Sequence, residues 1–285
     1  MDVSVVVCTR NRAGYLREAL EAYERVAGSV PWELVVVNNG STDATRGVIQ
    51  EFLEGSRVSG RSVDEPRRGL CFARNAGWNA ATGDIVAFTD DDCYPDADYL
   101  IMLKACFAEV GVGFLGGRIL LFDPDDYPIT IQTLEERMEI PSGSFVESGL
   151  IHGANLAARR SVLEVIGGFD ESIGAGTAFP AGDDVDFVNR ASAAGFVGAY
   201  DPRPVVYHHH RRRSEEDVAA LIRGYNIGRG AFFAKGVLDP SRRSMVSRQW
   251  YWRTFLPALK SRENARKCLQ EVNGALRYLW TRLRG

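Results

Sequence analysis

Three consecutive carboxylates, Asp90, Asp91 and Asp92, follow a short apolar run at residues 85–88. The run is brief, β-rich and bounded by Gly and Asp, which predicts a buried strand. On an extended backbone Asp90 and Asp92 point the same way and Asp91 points the other way. Asp90 and Asp92 therefore form an Asp-x-Asp pair that can hold one hard cation, since Mg²⁺ and Mn²⁺ take oxygen ligands. The alternative is an acidic turn that starts a helix at Pro95, with Asp92 as its cap.

A second acidic cluster, Asp183, Asp184 and Asp186, opens another predicted helix. Carboxylates at this place can cap the helix, or one of them can act as a general base. Asp186 is expected to pair with Arg190, because residues four apart are neighbours on a helix surface. The glycine-rich approach at residues 174–182 predicts a flexible arm before the cluster.

A third group consists of His208, His209 and His210, which follow a predicted strand. The strand places His208 and His210 on one face. Neutral imidazole is a good ligand for ions of the Mn²⁺ type, so one of these two is a candidate metal ligand. The alternative is a solvated basic segment, because three arginines at 211–213 come next.

The elements that must position these groups alternate along the first half of the chain. β-rich runs occur at residues 3–8, 34–37, near 58–63 and 85–88, and helical patterns occur at about 14–27, 44–53 and 71–81. This alternation predicts an α/β fold with an open, mostly parallel sheet. In such sheets ligands bind outside the carboxyl ends of the strands. The loops that carry Thr9, Asn39 and Asp90 are therefore expected to face one crevice, and the lack of a GxGxxG motif argues against a dinucleotide cofactor.

Composition is typical of a soluble globular protein: 285 residues, 45% hydrophobic, 25% charged and a net charge of -3. The charge is uneven, because residues 241–285 contain eleven Lys and Arg against two Glu, a net +9 that leaves -12 for residues 1–240. A basic, aromatic tail predicts attraction to an anionic surface. Its last helix, about 262–284, suits a core or dimer contact, or an interfacial helix on anionic lipid. No nucleic-acid recognition motif accompanies it, so no nucleic-acid partner is expected.

The five cysteines show no paired spacing, which favours a reduced, cytoplasmic setting, with peripheral membrane contact left open. No signal peptide is evident. No stretch reaches the roughly 18–20 apolar residues needed to span a bilayer.

Four segments together resemble family 2 glycosyltransferases of the GT-A fold. They are residues 5–12 (Val-Val-Val-Cys-Thr-Arg-Asn-Arg), 35–43 (Val-Val-Val-Asn-Asn-Gly-Ser-Thr-Asp), 73–77 (Ala-Arg-Asn-Ala-Gly) and 88–92 (Phe-Thr-Asp-Asp-Asp). The resemblance extends to about Arg213 and implies a nucleotide-sugar donor, a divalent metal and inversion at the anomeric carbon. It implies a GT-A catalytic domain at 1–213, with a nucleotide-sugar-binding half at 1–118 and an acceptor-side half at 119–213. A basic amphipathic helical extension follows at 214–285.

The resemblance also implies roles for individual residues. The nucleotide-sugar set comprises Thr9 and Arg10 at the base, Asn39 where the family commonly has an Asp that contacts uracil, Arg74 on the base or phosphate side, Asp90 at the ribose, Asn155 at a sugar hydroxyl, and Asp43 and Asp91. Asp92 and His208 are the implied metal ligands, with His210 the alternative to His208. Asp184 aligns with the catalytic base, and Asp183 is the second candidate.

The donor and acceptor are less defined. Asn38-Asn39 replaces the commoner Asp-Asp, so UDP is the first expectation while dTDP and GDP stay open. The Asn39 amide oxygen can accept from a pyrimidine N–H, and its NH₂ would add donors. Residues 122–149 predict a mobile loop over the crevice. A nucleotide-sugar-binding protein without catalysis and a Mg²⁺-dependent phosphohydrolase are the alternative functions, and homo-oligomer formation is open.

Overall fold

The computed structural model describes residues 1–26, 30–109 and 111–284. Its strands are β1 (Val3–Thr9), β2 (Trp32–Asn38), β3 (Gly60–Asp64), β4 (Ile85–Asp90), β5 (Cys93–Pro95), β6 (Val112–Leu121), β7 (Met138–Ile140), β8 (Leu156–Arg159) and β9 (Val197–His208). Its helices are α1 (Ala13–Tyr23), α2 (Thr45–Gly55), α3 (Leu70–Ala80), α4 (Tyr99–Ala108), α5 (Arg160–Ile166), α6 (Asp183–Ala193), α7 (Glu215–Leu238), α8 (Arg243–Trp250), α9 (Leu256–Ala258) and α10 (Arg262–Arg284). The predicted end of the first helix at residue 27 lies outside the described residues.

One sheet runs through the body in the order β3-β2-β1-β4-β8-β6-β9-β5, and β7 pairs with β9. Strands β1 to β4 pair in parallel, which confirms the predicted βαβ half. The second half is mixed, because β8 enters antiparallel between β4 and β6. Helices cover both faces of the sheet, so the fold class is α/β, as the alternating pattern predicted.

Strand β1 shows why both faces are covered. Its seven residues are all buried. Val3, Val5 and Val7 pack into one hydrophobic cluster, while Val6 and Cys8 pack into the other. A continuous β-branched run with no polar face is the pattern of a parallel strand between two helical layers.

Two predicted boundaries fall inside strands. Pro95 belongs to β5, which pairs antiparallel with β9, and the next helix begins at Tyr99, so Asp92 caps no helix. The predicted division between residues 118 and 119 falls inside β6, so the two halves share a strand. The predicted loop 122–149 contains β7 and a bridge from Gln132 to Ile119, which tie it to the sheet.

The C-terminal extension is helical, as predicted, and packs on the body. Ser214 caps α7 by accepting a hydrogen bond from the Asp217 backbone N–H at 3.1 Å. Helices α7 and α10 approach closely, because a Cβ on Gly230 would lie 1.9 Å from the Glu271 carbonyl oxygen and one on Gly274 2.1 Å from that of Ile227. Within the described residues, no helix combines the length and apolarity needed to cross a membrane.

This close approach is testable by substitution. Gly230→Ala should destabilise the protein by about 1–3 kcal/mol, because the added methyl group forces the two backbones apart. Gly47→Ala is the matched control, since a Cβ there meets nothing within 4 Å. Because Gly47 lies in α2, Gly47→Ala should stabilise the protein by about 0.5–1 kcal/mol through the higher helix propensity of alanine. Urea unfolding of both variants measures the difference, and equal effects would contradict the packing of α7 on α10.

Candidate functional site

The carboxyl ends of β1, β2 and β4 lie side by side. Thr9 is in register with Asn38, and Cys8 is in register with Asp90. The loops beyond these strands therefore meet at one edge of the sheet. A cavity of about 590 Å³ opens there. This volume is in the range of ligand pockets.

Most of the predicted site residues line this single cavity. They are Thr9, Arg10, Asn39, Arg74, Asp90, Asp91, Asp92, Asp183, Asp184 and His208. The acidic cluster after β4 and the acidic start of α6 therefore share one cavity, although they are about ninety residues apart in sequence.

The three aspartates after β4 differ in their surroundings. Asp91 accepts a hydrogen bond from the Thr9 hydroxyl at 2.6 Å, and Asp92 lies 2.6 Å from an Arg12 guanidinium nitrogen. Asp90 is the most accessible of the three, with its side chain one-third exposed. Burial, opposed by Arg12, raises the pKa of Asp91 to about 7. The pKa of Asp92 is lowered, because contacts with His208 and Arg12 outweigh its burial.

His208 stands opposite Asp92, with Nε2 3.3 Å from Oδ1. The other ring nitrogen lies 3.2 Å from the Thr130 hydroxyl, which orients the ring. Burial would lower the pKa of His208, but Asp92 reverses the effect and raises it. His210 turns away, with Nε2 3.0 Å from the Tyr127 carbonyl oxygen. The geometry thus brings His208, and not His210, to Asp92.

Ligand atoms of Asp90, Asp92, Cys93 and His208 lie within 4.8 Å of one another. Two carboxylates and an imidazole at this spacing fit a Mn²⁺ or Mg²⁺ ion. Cys93 was not predicted as a site residue. Burial raises the pKa of its thiol, and sulfur is a soft ligand that suits a hard cation poorly.

Arg74 joins the two acidic clusters. One of its terminal nitrogens lies 2.5 Å from an Asp183 oxygen and the other 3.3 Å from an Asp90 oxygen. The guanidinium is buried, and it packs over the Phe169 ring at 5.1 Å. A buried charge needs such partners because desolvation is costly. Arg74 therefore holds the end of β4 and the start of α6 at the same cavity.

Asp183 and Asp184 are adjacent but have different contacts. Burial raises the pKa of Asp183 to about 6, although Arg74 opposes the shift. Asp184 accepts hydrogen bonds from two backbone N–H groups, of Val185 at 2.7 Å and Gly153 at 3.2 Å. Both carboxylates line the cavity, and Asp183 is committed to Arg74.

Asn39 reaches the cavity with its donors already used. Its NH₂ donates to the carbonyl oxygens of Glu65 at 2.9 Å and Arg67 at 2.7 Å. Its carbonyl oxygen accepts from the Gly69 N–H at 3.0 Å and keeps one further lone pair. The extra donors expected from this amide are therefore not available to a ligand. Arg10 donates to the backbone carbonyl oxygen of Asn39 and braces the same loop.

Two predicted site residues are not in the cavity wall. Asn155 is buried, and its amide bonds the carbonyl oxygens of Arg118 and Pro204 and the Tyr99 hydroxyl. Asp43 accepts from the Thr45 N–H at 3.0 Å at the start of α2. Asn155 thus fastens the layer beneath the cavity, and Asp43 binds the first N–H of α2, so neither side chain forms part of the cavity wall.

Several cavity residues were missed by sequence reasoning. Arg12 and His152 both line the cavity. Arg12 lies in the segment at residues 5–12 that resembles the family, and His152 lies shortly before Asn155 in the sequence. Burial lowers the pKa of His152, against the charge of Asp184. Tyr225 of α7 also lines the cavity. In the sequence Tyr225 is one of several apolar residues at helical spacing, and this pattern is the same for a side chain in a cavity wall and for one in the hydrophobic core.

The extension is fastened to α6 by buried charge. Asp186 is fully buried and pairs with Arg190 at 2.7 Å, as predicted. It also pairs with Lys235 of α7 at 2.7 Å and with Arg242 at 3.5 Å. Lys235 in turn pairs with Asp170 at 2.5 Å. This network links the extension to the turn that carries Asp183 and Asp184.

Comparison with known proteins identifies relatives. The family model described as "Glycosyl transferase family 2" matches residues 4–167. Glycosyltransferase AglE of Haloferax volcanii is 26% identical over 71% of this chain and 67% of its own length. A pre-mycofactocin glycosyltransferase of Mycobacterium tuberculosis is 27% identical over 73% of this chain and 42% of its own length. The chain thus spans about two thirds of the first relative and less than half of the second.

Solved structures show the same fold. The mannosyltransferase PcManGT from Pyrobaculum calidifontis, in complex with GDP-Man and Mn²⁺, has a TM-score of 0.66 at 21% identity, covering 95% of this chain and 73% of its own. S. aureus TarS 1-349 has a TM-score of 0.65 at 18% identity, covering 98% of this chain and 81% of its own. These similarities assign the GT-A fold to the chain.

The Asp186 network predicts a pH-dependent stability difference. Asp186→Asn should destabilise the protein by about 3–5 kcal/mol near neutral pH, because it removes the buried carboxylate that Arg190, Lys235 and Arg242 share. Three cations lower the pKa of the buried Asp186 to about 2. Its stabilisation is therefore complete above the ordinary pKa of about 3.9 and is lost as the pH falls through about 2.

Urea unfolding of the wild type and the variant between neutral and acidic pH measures this difference, which should shrink as the pH is lowered. The exposed Asp84→Asn is the control and should change stability by less than about 0.5 kcal/mol. A pH-independent gap, or a loss no larger than that of Asp84→Asn, would show that Asp186 does not carry the network.

Proposed function

Because the chain belongs to glycosyl transferase family 2, we propose that it transfers a glycosyl group from a nucleoside-diphosphate sugar to a hydroxyl acceptor, with inversion at the anomeric carbon. The observation that carries this proposal is the Arg74 guanidinium, which joins the Asp90 cluster to the Asp183-Asp184 pair across one cavity. An inverting transfer needs a leaving-group site and a base in the same cavity, and the Asp90 cluster and the Asp183-Asp184 pair are the candidates for these two roles.

The nucleoside binds at the ends of β1 and β2. Thr9, Arg10 and Asn39 form this part of the wall. The free lone pair of the Asn39 amide oxygen can accept a hydrogen bond from a base N–H. UDP is the first expectation, with dTDP and GDP open, since PcManGT was solved with GDP-Man and TarS with UDP-GlcNAc. Asp90 is the ribose-side group, and Arg74 is the cation beside it.

Asp92 and His208 would hold a divalent cation, with Asp90 next to them. A bound Mn²⁺ or Mg²⁺ supplies Lewis-acid stabilisation to the diphosphate that leaves. Arg12 already contacts Asp92 and adds positive charge on the same side. The Thr130 hydroxyl contacts the other nitrogen of the His208 ring and so sets the orientation of this ligand.

Asp184 is the general base of the proposal. An acceptor hydroxyl is a weak nucleophile, so a carboxylate must take its proton as it attacks the anomeric carbon. Asp184 lines the cavity, and its hydrogen bonds within the described residues come from backbone N–H groups alone, which leaves lone pairs for that proton. Asp183 is occupied by Arg74 and serves as a positioning residue.

The acceptor enters beside the extension. Leu221, Tyr225 and Arg229 of α7 complete the wall around Asp184, together with the glycine-rich residues 174–182. Acceptor choice is therefore assigned jointly to the arm and to α7. Contact with a membrane surface and association between copies of the chain are separate questions.

A binding screen tests donor and metal together. UDP, dTDP, GDP and their sugars, titrated with and without Mn²⁺, should give one preferred base whose affinity rises with the metal. Asp92→Asn should weaken the metal-dependent part at least about tenfold, because the ligand set loses a charged oxygen. Asp125→Asn, exposed in the 122–149 loop, is the control and should behave like the wild type. A nucleotide affinity that is the same with and without Mn²⁺ would remove the metal from the proposal.

Substitution of the base separates catalysis from binding. Asp184→Asn should lower donor turnover at least about 100-fold while nucleoside-diphosphate binding persists, because a base acts on the acceptor proton. Turnover can be followed as slow donor hydrolysis, in which water takes the place of the acceptor. Asp183→Asn should instead weaken donor binding, because it frees Arg74. Unchanged turnover in Asp184→Asn would exclude it as the base, and a wild type that binds donor without turnover would favour the binding-only alternative.

A further inference from the structure

Helix α10 has a buried inner face and an exposed apolar face on the opposite side. Its inner face packs on α7 through four buried residues, Glu271, Gly274, Ala275 and Tyr278. Its outer face carries Leu269, Leu276, Trp280 and Leu283, which are 71%, 62%, 56% and 81% exposed. These residues follow one another at spacings of seven, four and three, so they form one stripe along the helix. A stripe of large apolar side chains in water marks an interaction surface.

Positive charge lies along the same stripe. Arg262, Arg266 and Arg284 follow at helical spacing beside the leucines and are exposed. Arg284 stacks over Trp280 at 4.3 Å. Within the described part of the chain, none of these three arginines forms an ion pair with a carboxylate. Their charge is therefore available to an anionic partner.

Acidic residues are kept off the outer face. Glu271 is buried on the inner face and pairs with Arg229 at 2.7 Å, and Glu263 lies in the first turn, outside the apolar stripe. Just before the helix, Leu259 is 84% exposed and is followed by Lys260. The outer face thus combines an apolar strip with unpaired cations over the whole length of α10.

We propose that the outer face of α10, defined by Leu269, Leu276, Trp280 and Leu283 with the flanking arginines, binds the surface of an anionic lipid bilayer. A helix of this kind lies in the plane of the interface, with its leucines in the acyl boundary and its arginines among the headgroups. A second copy of the chain meeting this face with its own would bring like charges together, which disfavours a symmetric dimer. The inner face keeps α10 attached to α7, so docking leaves the cavity wall in place.

Co-sedimentation of the full chain with vesicles tests this proposal. Vesicles of equal phosphatidylglycerol and phosphatidylcholine should pellet the protein at low salt, at least about tenfold more strongly than phosphatidylcholine alone. Binding should weaken as salt is added, because screening reduces the charge term. The double variant Leu276→Glu with Trp280→Glu should lose at least about tenfold in affinity, since it puts charge in the apolar stripe.

Two controls separate the surface from general effects. Val165→Glu changes another exposed apolar residue, 64% exposed on α5, and should bind like the wild type. Arg262→Glu with Arg266→Glu should weaken binding to the anionic vesicles, whereas Arg57→Glu, exposed on the body, should not. Thermal unfolding confirms that each variant is folded.

Three results would overturn the proposal. One is a wild type that stays in the supernatant with anionic vesicles, and another is a double variant that still pellets. The third is a wild-type dimer in light scattering that the double variant converts to a monomer without any vesicle binding, which would assign the face to contacts between copies. None of these readouts depends on sugar transfer, so they are independent of the outcome for the proposed function.

Discussion

The buried Arg74 guanidinium is the contact on which the site depends. It sits on α3 and pairs with carboxylates from two other elements, Asp90 at the end of β4 and Asp183 at the start of α6. A desolvated cation is stable only while both partners stay in place. Asp92 lies two residues after Asp90, and Asp184 directly follows Asp183. The same pairing therefore brings the carboxylates of the proposed metal site and the proposed base to one cavity. A shift of either element would leave charge buried without a partner.

The helical extension belongs to this arrangement as much as the sheet does. Lys235 and Arg242 reach the buried carboxylate of Asp186, one turn into the helix that begins at Asp183. Tyr225, from the same helix as Lys235, forms part of the cavity wall. Meanwhile the outer face of α10 points away from α7. The extension therefore contributes one helix to the cavity wall and carries an exposed apolar face on another.

Much of this fold follows from local pattern. β-branched runs buried on both faces predicted the parallel strands, and the strand ends identified the loops that meet at the crevice. The two acidic clusters, after β4 and at the start of α6, were evident as closely spaced aspartates. What the sequence lacked were contacts between distant positions, such as Arg74 with Asp183 across 109 residues. Asn155 illustrates the limit, because the family resemblance implies contact with a sugar hydroxyl, whereas three distant partners satisfy its amide. Strand β5 was missed because three residues carry too little pattern and its partner lies over a hundred residues away.

Anomalous diffraction from crystals grown with Mn²⁺ and a nucleoside diphosphate tests the central claim most directly. The account predicts a manganese peak between Asp92 and His208, a diphosphate beside it, and the carboxylate of Asp184 facing the same cavity across from the metal. A manganese peak at another site, or a nucleotide bound outside this cavity, would contradict it.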